Sequence, residues 1–179
     1  MYLNSRAAPP VARLRADEEG AFAGAGALTL PLRLEGTHTF ILVGQESLAS
    51  TTVDVQVQPF TPQVEPSAYS GLPGTTVTFY GTGFARGEVV RVYAGGEGTG
   101  PRLVACGRAD GEGRLRGDAP YTLEPALGEG RVTFLLEGAS SGGVATTSME
   151  VGAPRQAVAV PAPALPAWCG GAPAGGDNP

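Results

Sequence analysis

The sequence predicts an all-β fold built from repeated sandwich modules, and three observations lead to this prediction. Short alternating or apolar segments are separated by Gly, Pro and Asp turn signals at the spacing of roughly 8–12 residues typical of sandwiches. Glycine and proline contribute 28 and 16 of the 179 residues, which turn-rich β-domains tolerate because glycine accepts positive φ and proline presets turns. No segment shows a sustained helical period with caps.

The chain repeats itself at an interval of 93–94 residues. Asp17 recurs as Asp110 after 93 positions, and Phe40 recurs as Phe134 after 94, with one inserted residue between them. Such self-similarity is typical of arrays of similar modules. The aligned segments are "ADEEGAFAG" (16–24) with "ADGEGRLRG" (109–117), "EGTHTFILVG" (35–44) with "EGRVTFLLEG" (129–138), and "TTVDVQV" (51–57) with "ATTSMEV" (145–151).

One copy is complete and occupies residues 59–151. Its candidate strands number near seven, which fits an immunoglobulin-like sandwich. The candidates are residues 75–80, 89–94, 102–107, 113–117, 121–123, 131–137 and 144–151, with a short strand near 63–65 ahead of them.

The order of motifs in this copy resembles a known family. It reads "PSAYSGLPGTTVTFYGTGFARGEVVRVY", then "ADGEGRLRG", "GEGRVTFLLEG" and a closing "TTSMEV". This resembles bacterial immunoglobulin-like repeats of the IPT/TIG type, which often read P-G-x-x-V-x-V, G-x-G-F, G-E-x-V and Asp-x-x-Gly. The resemblance extends less completely to residues 11–57. It implies a secreted or cell-surface sandwich that serves as a spacer, an adhesive module or an accessory domain, and therefore indicates fold more than function.

The glycine-rich stretch "GTGFARG" (81–87) raises the alternative of a phosphate-binding loop. Such a loop connects a strand to a helix, and the P-loop also carries a Lys-Ser/Thr pair. Here the strand-like "VVRVY" follows, and the chain contains no lysine. We therefore interpret Gly81 and Gly83 as a corner between two strands, with Phe84 closing the end of the core and Gly87-Glu88 starting the next strand.

Residues 1–58 match only the second part of the module. Residues 11–20 align with 104–113, and Met1–Leu3 falls near the "VRVY" strand, but "GTTVTFYGTGFARGE" has no counterpart. We expect either that the sequence begins inside a longer array or that another strand fills the gap, because an open half-sandwich is prone to strand exchange. The side chains predicted to face this incomplete core are Phe22, Leu30, Leu34, Phe40 and Leu42.

Residues 152–179 form a Pro/Ala/Gly-rich tail that we predict to be an extended linker or stalk. An alternative is that "QAVAV" (156–160) donates a strand. Trp168 in this tail is interpreted either as an anchor or as a residue docked on a domain. Cys106 and Cys169 are candidates for a disulfide in an oxidising compartment; the alternative is two free thiols.

Residues capable of chemistry are sparse. A structural zinc site needs four ligands, whereas His38 and the two cysteines make three. His38 aligns with Arg131 and is predicted to face solvent, with no Ser-His-Asp arrangement indicated. Asp17 and Asp110 stand in Asp-x-x-Gly segments, which favours turn capping over calcium binding. Exposed aromatic residues are the remaining candidates, for sugar or partner binding: Tyr80, Tyr93, Tyr121 and Trp168.

Charge and hydropathy restrict the partners. The formal net charge is −5 with no basic stripe, which argues against nucleic acid. No apolar run reaches the roughly 18–20 residues of a membrane span, and the first residues lack the pattern of a signal peptide. We expect other protein modules, copies of the chain itself or a surface glycan as partners, and no cofactor.

The leading prediction is a non-catalytic structural or adhesive module of a secreted or cell-surface repeat protein. Three alternatives remain open. The chain is a self-assembling, filament-type subunit completed by a donated strand, an accessory binding module of a larger extracellular enzyme, or a small hydrolase that uses His38.

Overall fold

The computed structural model describes residues 1–21, 28–96, 100–153, 160–162 and 164–170. These residues form thirteen β-strands and two short 3-10 turns, which confirms the prediction of an all-β chain. They divide into two compact units, Met1–Pro59 and Phe60–Pro179. None of the described helical segments is long and apolar enough to span a membrane.

The second unit contains several sheets. A five-stranded sheet has the order β5-β13-β12-β8-β9, and two smaller sheets have the orders β10-β7-β4 and β11-β6. Every pairing is antiparallel except that of β5 with β13. The strands are β4 (Gln63–Pro66), β5 (Ser70–Gly71), β6 (Thr76–Val77), β7 (Phe79–Thr82), β8 (Val89–Gly95), β9 (Arg102–Arg108), β10 (Leu115–Arg116), β11 (Tyr121–Thr122), β12 (Gly130–Gly138) and β13 (Val144–Val151).

The strands of the second unit largely follow the sequence prediction, with one division. The segment predicted as a single strand over 75–80 is split at Thr78, whose backbone oxygen accepts the amide of Ser67 at 2.8 Å. Residues before Thr78 pair with β11, and residues after it pair with β4 and β10. The chain therefore passes from one small sheet to the other at this residue.

Side chains from the large sheet and from the smaller sheets meet in one hydrophobic cluster. Alternate residues of β12 are buried, as period-two alternation requires for a sheet with one covered face. The Phe134 ring lies 4.9 Å from the Phe79 ring and 6.1 Å from the Tyr121 ring, measured between centroids. Burial of each such side chain contributes roughly 1.5–3 kcal/mol to stability. This arrangement is consistent with a β-sandwich.

The glycine-rich stretch forms a corner from Gly83 to Gly87, as predicted, but Gly81 was assigned to this corner wrongly: it lies inside β7 and pairs with Val64 and Leu115. Gly83 and Gly87 have φ of +84° and +68°, which L-residues with side chains rarely adopt. Phe84 is buried at 3% exposure and belongs to the core cluster. The next element is the strand β8, not a helix, so the stretch lacks the geometry of a phosphate loop.

The first unit contains a three-stranded sheet of order β1-β2-β3, with β1 at Tyr2–Leu3, β2 at Gly36–Val43 and β3 at Ser50–Val57. The β2–β3 hairpin has the same register as the β12–β13 hairpin when 94 is added to every residue number. β1 pairs with β2 as β8 pairs with β12. The repeat seen in the sequence is therefore also a repeat of backbone pairing.

The hairpin loops reproduce each other as well. The amide of Gly44 donates to the Ala49 oxygen at 2.9 Å, and the amide of Gly138 donates to the Gly143 oxygen at the same distance. In each loop a serine hydroxyl accepts the amide two residues later, at 3.3 Å and 3.1 Å. A one-residue change in loop length would shift the register, so the matching loops fix the same pairing in both units.

The Asp-x-x-Gly segments form equivalent turns. Asp17 Oδ1 accepts the amide of Ala21 at 2.7 Å, and Asp110 Oδ1 accepts the amide of Arg114 at 3.0 Å. Gly20 and Gly113 complete the turns with φ of +81° and +74°. These contacts confirm the prediction that both carboxylates cap turns. Within the described ranges, no group of three or more His, Cys, Asp or Glu side chains is placed to hold a metal ion.

Candidate functional site: the open face of the first unit

The two cysteines are joined in a disulfide that attaches the tail to the second unit. Their Cα atoms lie 5.8 Å apart, and both residues are buried. Cys169 ends a 3-10 turn at Ala167–Cys169, and its backbone oxygen accepts Arg91 Nε at 3.3 Å. Trp168 lies beneath the Arg108 guanidinium, 5.9 Å from the ring centroid. This part of the predicted linker is therefore docked on a domain.

The aromatic residues considered for sugar binding have different environments. Tyr121 is buried at 2% exposure, and this burial together with the charge of Glu124 raises its pKa to about 12. The Tyr93 hydroxyl donates to Glu137 at 3.3 Å. Tyr80 is 43% exposed beside Arg114 and Arg116. Because Tyr121 lies inside the core cluster, it does not offer a ring face to a sugar.

The structure does not equate His38 with Arg131, as the sequence alignment does, although the hydrogen bonds of His38 are solvent-exposed. The pairing register equates it with buried Val132 and not with Arg131, because the hairpins match at an offset of 94. His38 is half-buried; its Nδ1 lies 3.0 Å from Asn4 Nδ2, and its Nε2 lies 3.0 Å from the Glu35 backbone oxygen. Both ring nitrogens are therefore engaged in local structure.

The first unit presents an apolar surface that we call the open face. Phe40, at 7% exposure, is the one apolar side chain of the described residues of this unit that is buried. Val53 on the neighbouring strand is 53% exposed. A shallow depression of about 280 Å³ lies over these side chains. The open face consists of Met1, Leu28, Leu30, Phe40, Leu42 and Val53.

The counterparts of the open face are covered in the second unit. Phe134 and Leu136, which correspond to Phe40 and Leu42 in the shared register, both have 0% exposure. Phe134 packs on Phe79 of β7 and on Tyr121 of β11. Strands β4–β7 have no counterpart in the described part of the first unit. The open face is therefore the inner surface of one layer of the module.

The outer edge of β3 adds a second feature to this surface. In the second unit the equivalent strand, β13, pairs with β5, and the amide of Glu150 donates to the Tyr69 oxygen at 2.9 Å. Gln56 occupies the position of Glu150 in the repeat. Among the described residues β3 pairs with β2 alone. An unpaired edge of this kind is a template for an added strand.

The sequence identified part of this surface. Leu30, Phe40 and Leu42 lie on the open face as predicted, and Leu34 is half-buried but is not among the residues of this face. Phe22 lies outside the described residues. Reasoning from the sequence missed Met1, Leu28 and Val53. Leu28 had a detectable signal, since the offset of 93 aligns it with Tyr121 in the complete copy.

The candidate donor strand "QAVAV" (156–160) lies in the tail. Residues 156–159 of this strand lie outside the described residues.

Comparison with known proteins adds no assignment: no protein-family model matches this chain, and no curated protein matches it.

Proposed function

We propose that this chain is a non-catalytic structural or adhesive module of a secreted or cell-surface repeat protein, with immunoglobulin-like modules of the IPT/TIG type. The observation that carries the proposal is the repeated hairpin, which keeps one register, one loop geometry and one turn in both units. Repetition of a scaffold at constant geometry is what a spacer or a modular adhesive surface requires.

Two further features support this proposal. Polar side chains that were considered for chemistry make contacts within the scaffold: Asp17 and Asp110 cap turns, and His38 contacts Asn4 and Glu35. Disulfides such as the bond between Cys106 and Cys169 persist in oxidising compartments and are rare in reducing ones. Extracellular placement is therefore part of the proposal.

The proposal is tested on the cells that produce the chain and on the purified protein. Antibodies against the chain should label intact cells, and protease added outside the cells should remove the signal. The wild-type chain should turn over esterase, glycosidase and peptidase substrates no faster than the His38→Ala variant does. Labelling that requires lysed cells, or turnover that disappears in His38→Ala, would contradict the proposal.

A second candidate function is assembly by strand completion, and the open face favours it specifically. Exposed apolar surface on one layer of a sandwich module lowers its free energy when another polypeptide covers it. Sedimentation velocity of the full chain tests this candidate at increasing concentration. We expect association that Val53→Glu weakens and that Thr52→Glu, an exposed residue on the opposite side of the same strand, leaves unchanged. A chain that stays monomeric at all concentrations would count against self-assembly.

A further inference from the structure

We propose that the open face binds a polypeptide segment with the chemistry of residues 61–84, the part of the second unit that contains β4–β7 and Phe84. This inference rests on the proposed modular function and names the partner that completes the first unit. We call such a partner the covering segment.

The first argument is geometric equivalence between the two units. The hairpins share their register residue by residue, so each open-face side chain has a defined counterpart in a complete module. In that module the surface around Phe134 is covered by β6 and β7, and Val77 and Phe79 are fully buried there. The same surface of the first unit therefore matches a partner with alternating apolar side chains at these positions.

The second argument concerns the aromatic ring that the partner supplies. Phe79 packs on Phe134 at 4.9 Å between centroids. Phe40 occupies the position of Phe134 and is the largest side chain of the open face. A covering segment with an aromatic residue at the position of Phe79 gains a ring pair beyond the burial of area.

The third argument comes from the two capped turns. In the second unit the amide of Phe84 donates to the Gly113 oxygen at 3.2 Å, and a Cβ atom on Gly113 would collide with the Phe84 backbone. At the equivalent Gly20 an added Cβ meets no atom within 4 Å. The turn at Gly20 thus has the backbone shape that receives a Phe84-like residue.

The edge of β3 supplies the fourth argument. The covering segment of the second unit includes β5, and the oxygen of Tyr69, which precedes β5, accepts the amide of Glu150. Gln56 stands at the same register position at the edge of β3. A partner with this chemistry therefore pairs its backbone with β3 while its side chains cover the open face, which is recognition by strand addition.

The experiment uses the full chain and a synthetic peptide with the sequence of residues 60–86 as the probe. Binding is measured by isothermal titration calorimetry, and its location by hydrogen exchange of the β3 amides. We expect saturable binding that slows exchange at Gln56. Val53→Glu should weaken binding by at least about tenfold, because docking would bury an unpaired carboxylate. Thr52→Glu is the matched control and should bind like the wild type.

Two more variants make the test specific. Gly20→Ala should weaken binding, because its Cβ would occupy the position that collides with Phe84 in the complete module. A peptide with Val77→Asp and Phe79→Asp should not bind. Absence of binding by the original peptide, or equal effects of Val53→Glu and Thr52→Glu, would overturn the proposal.

Self-association gives a separate outcome. If the chain associates with itself in a manner that Val53→Glu abolishes, and the peptide neither binds nor competes, a second copy covers the face. That result overturns the partner chemistry proposed here but leaves assembly through the open face intact. If the chain stays monomeric and the peptide binds, the partner chemistry is supported and self-assembly is not.

Discussion

Glu88 and Ser141, 53 residues apart in the chain, meet in a partly buried contact in which Ser141 Oγ donates to Glu88 Oε1 at 2.8 Å. The same carboxylate accepts the backbone amides of Ala85 at 2.6 Å, Ser140 at 3.2 Å and Ser141 at 2.9 Å. Glu88 is only 5% exposed. It therefore fastens the loop between β12 and β13 to the glycine corner that precedes β8.

Removal of this carboxylate should destabilise the second unit. Glu88→Ala removes the acceptor of the buried Ala85 amide and of the partly buried amides of Ser140 and Ser141. We therefore expect a loss of about 1–3 kcal/mol in the free energy of unfolding. Glu88→Gln retains one acceptor oxygen and should cost less. Denaturant unfolding measures both changes, and Glu129→Ala, at an exposed position, is the control. Equal midpoints for Glu88→Ala and the control would contradict this role.

The disulfide gives a second prediction. It closes a loop with a sequence separation of 63 residues, and bonds of this kind typically contribute about 2–4 kcal/mol. The double variant Cys106→Ser, Cys169→Ser should therefore unfold at a lower temperature. Trp168 is the single tryptophan, so its emission should shift to the red as the tail leaves Arg108.

Reducing agent provides the control for this prediction. It should lower the melting temperature of the wild type and shift its emission, and it should have no effect on the double variant. A wild-type protein whose melting temperature and emission stay constant in reductant would contradict the docking of the tail by this bond.

Asp110 gives a prediction about pH. The side chain of Arg116, with its Nε 2.7 Å from Asp110 Oδ2, and the amides of Arg114 and Glu112 lower the pKa of Asp110 to about 2. Because this pKa lies below the ordinary value of 3.8, the stabilisation of the turn is present above pH 3.8 and is lost as pH falls through about 2. Asp110→Asn should remove this dependence.

A carboxyl NMR titration of the full chain measures the pKa of Asp110 directly. Hydrogen exchange of the Arg114 amide at pH 4 and at pH 2.5 reports the state of the turn. Asp118→Asn is the control. It also removes a negative charge near Arg116, but it leaves Asp110, which accepts the turn amides, in place. A midpoint near 3.8 for Asp110 would show that the contacts do not favour its charged form.

Local signals in the sequence predicted most of the fold. The glycine corner at 83–87, the capped turns and the strands β8, β9, β12 and β13 depend on residues close together in the chain, so alternation and turn chemistry reveal them. The repeat identified Phe40 and Leu42 as core-facing, because their counterparts lie at a constant offset.

Contacts between distant residues were not predictable in the same way. The sequence placed Glu88 at the start of a strand, and its burial depends on a loop more than fifty residues away. His38 was assigned to the wrong face because two offsets, 93 and 94, bracketed its alignment. A difference of one residue moves every side chain of a strand to the opposite face, so pairing had to be known before the face of His38 could be assigned.

The equivalence of the two hairpins allows a direct comparison of their local stability, which is the last prediction. Phe134 has 0% exposure and lies between two layers, whereas Phe40, at 7% exposure, lies on the single sheet of the described part of its unit. Opening of a hairpin costs less when fewer apolar contacts break with it. We therefore expect the amides of Phe40 and Leu42 to exchange at least about a hundredfold faster than those of Phe134 and Leu136.

The measurement is residue-resolved hydrogen exchange of the full chain at low concentration, with the 60–86 peptide added in a second series. Faster exchange that the peptide slows would identify the open face as the weak layer of the chain and its completion as the stabilising event. Equal protection of both hairpins without peptide would contradict the prediction that the first unit is the less stable layer.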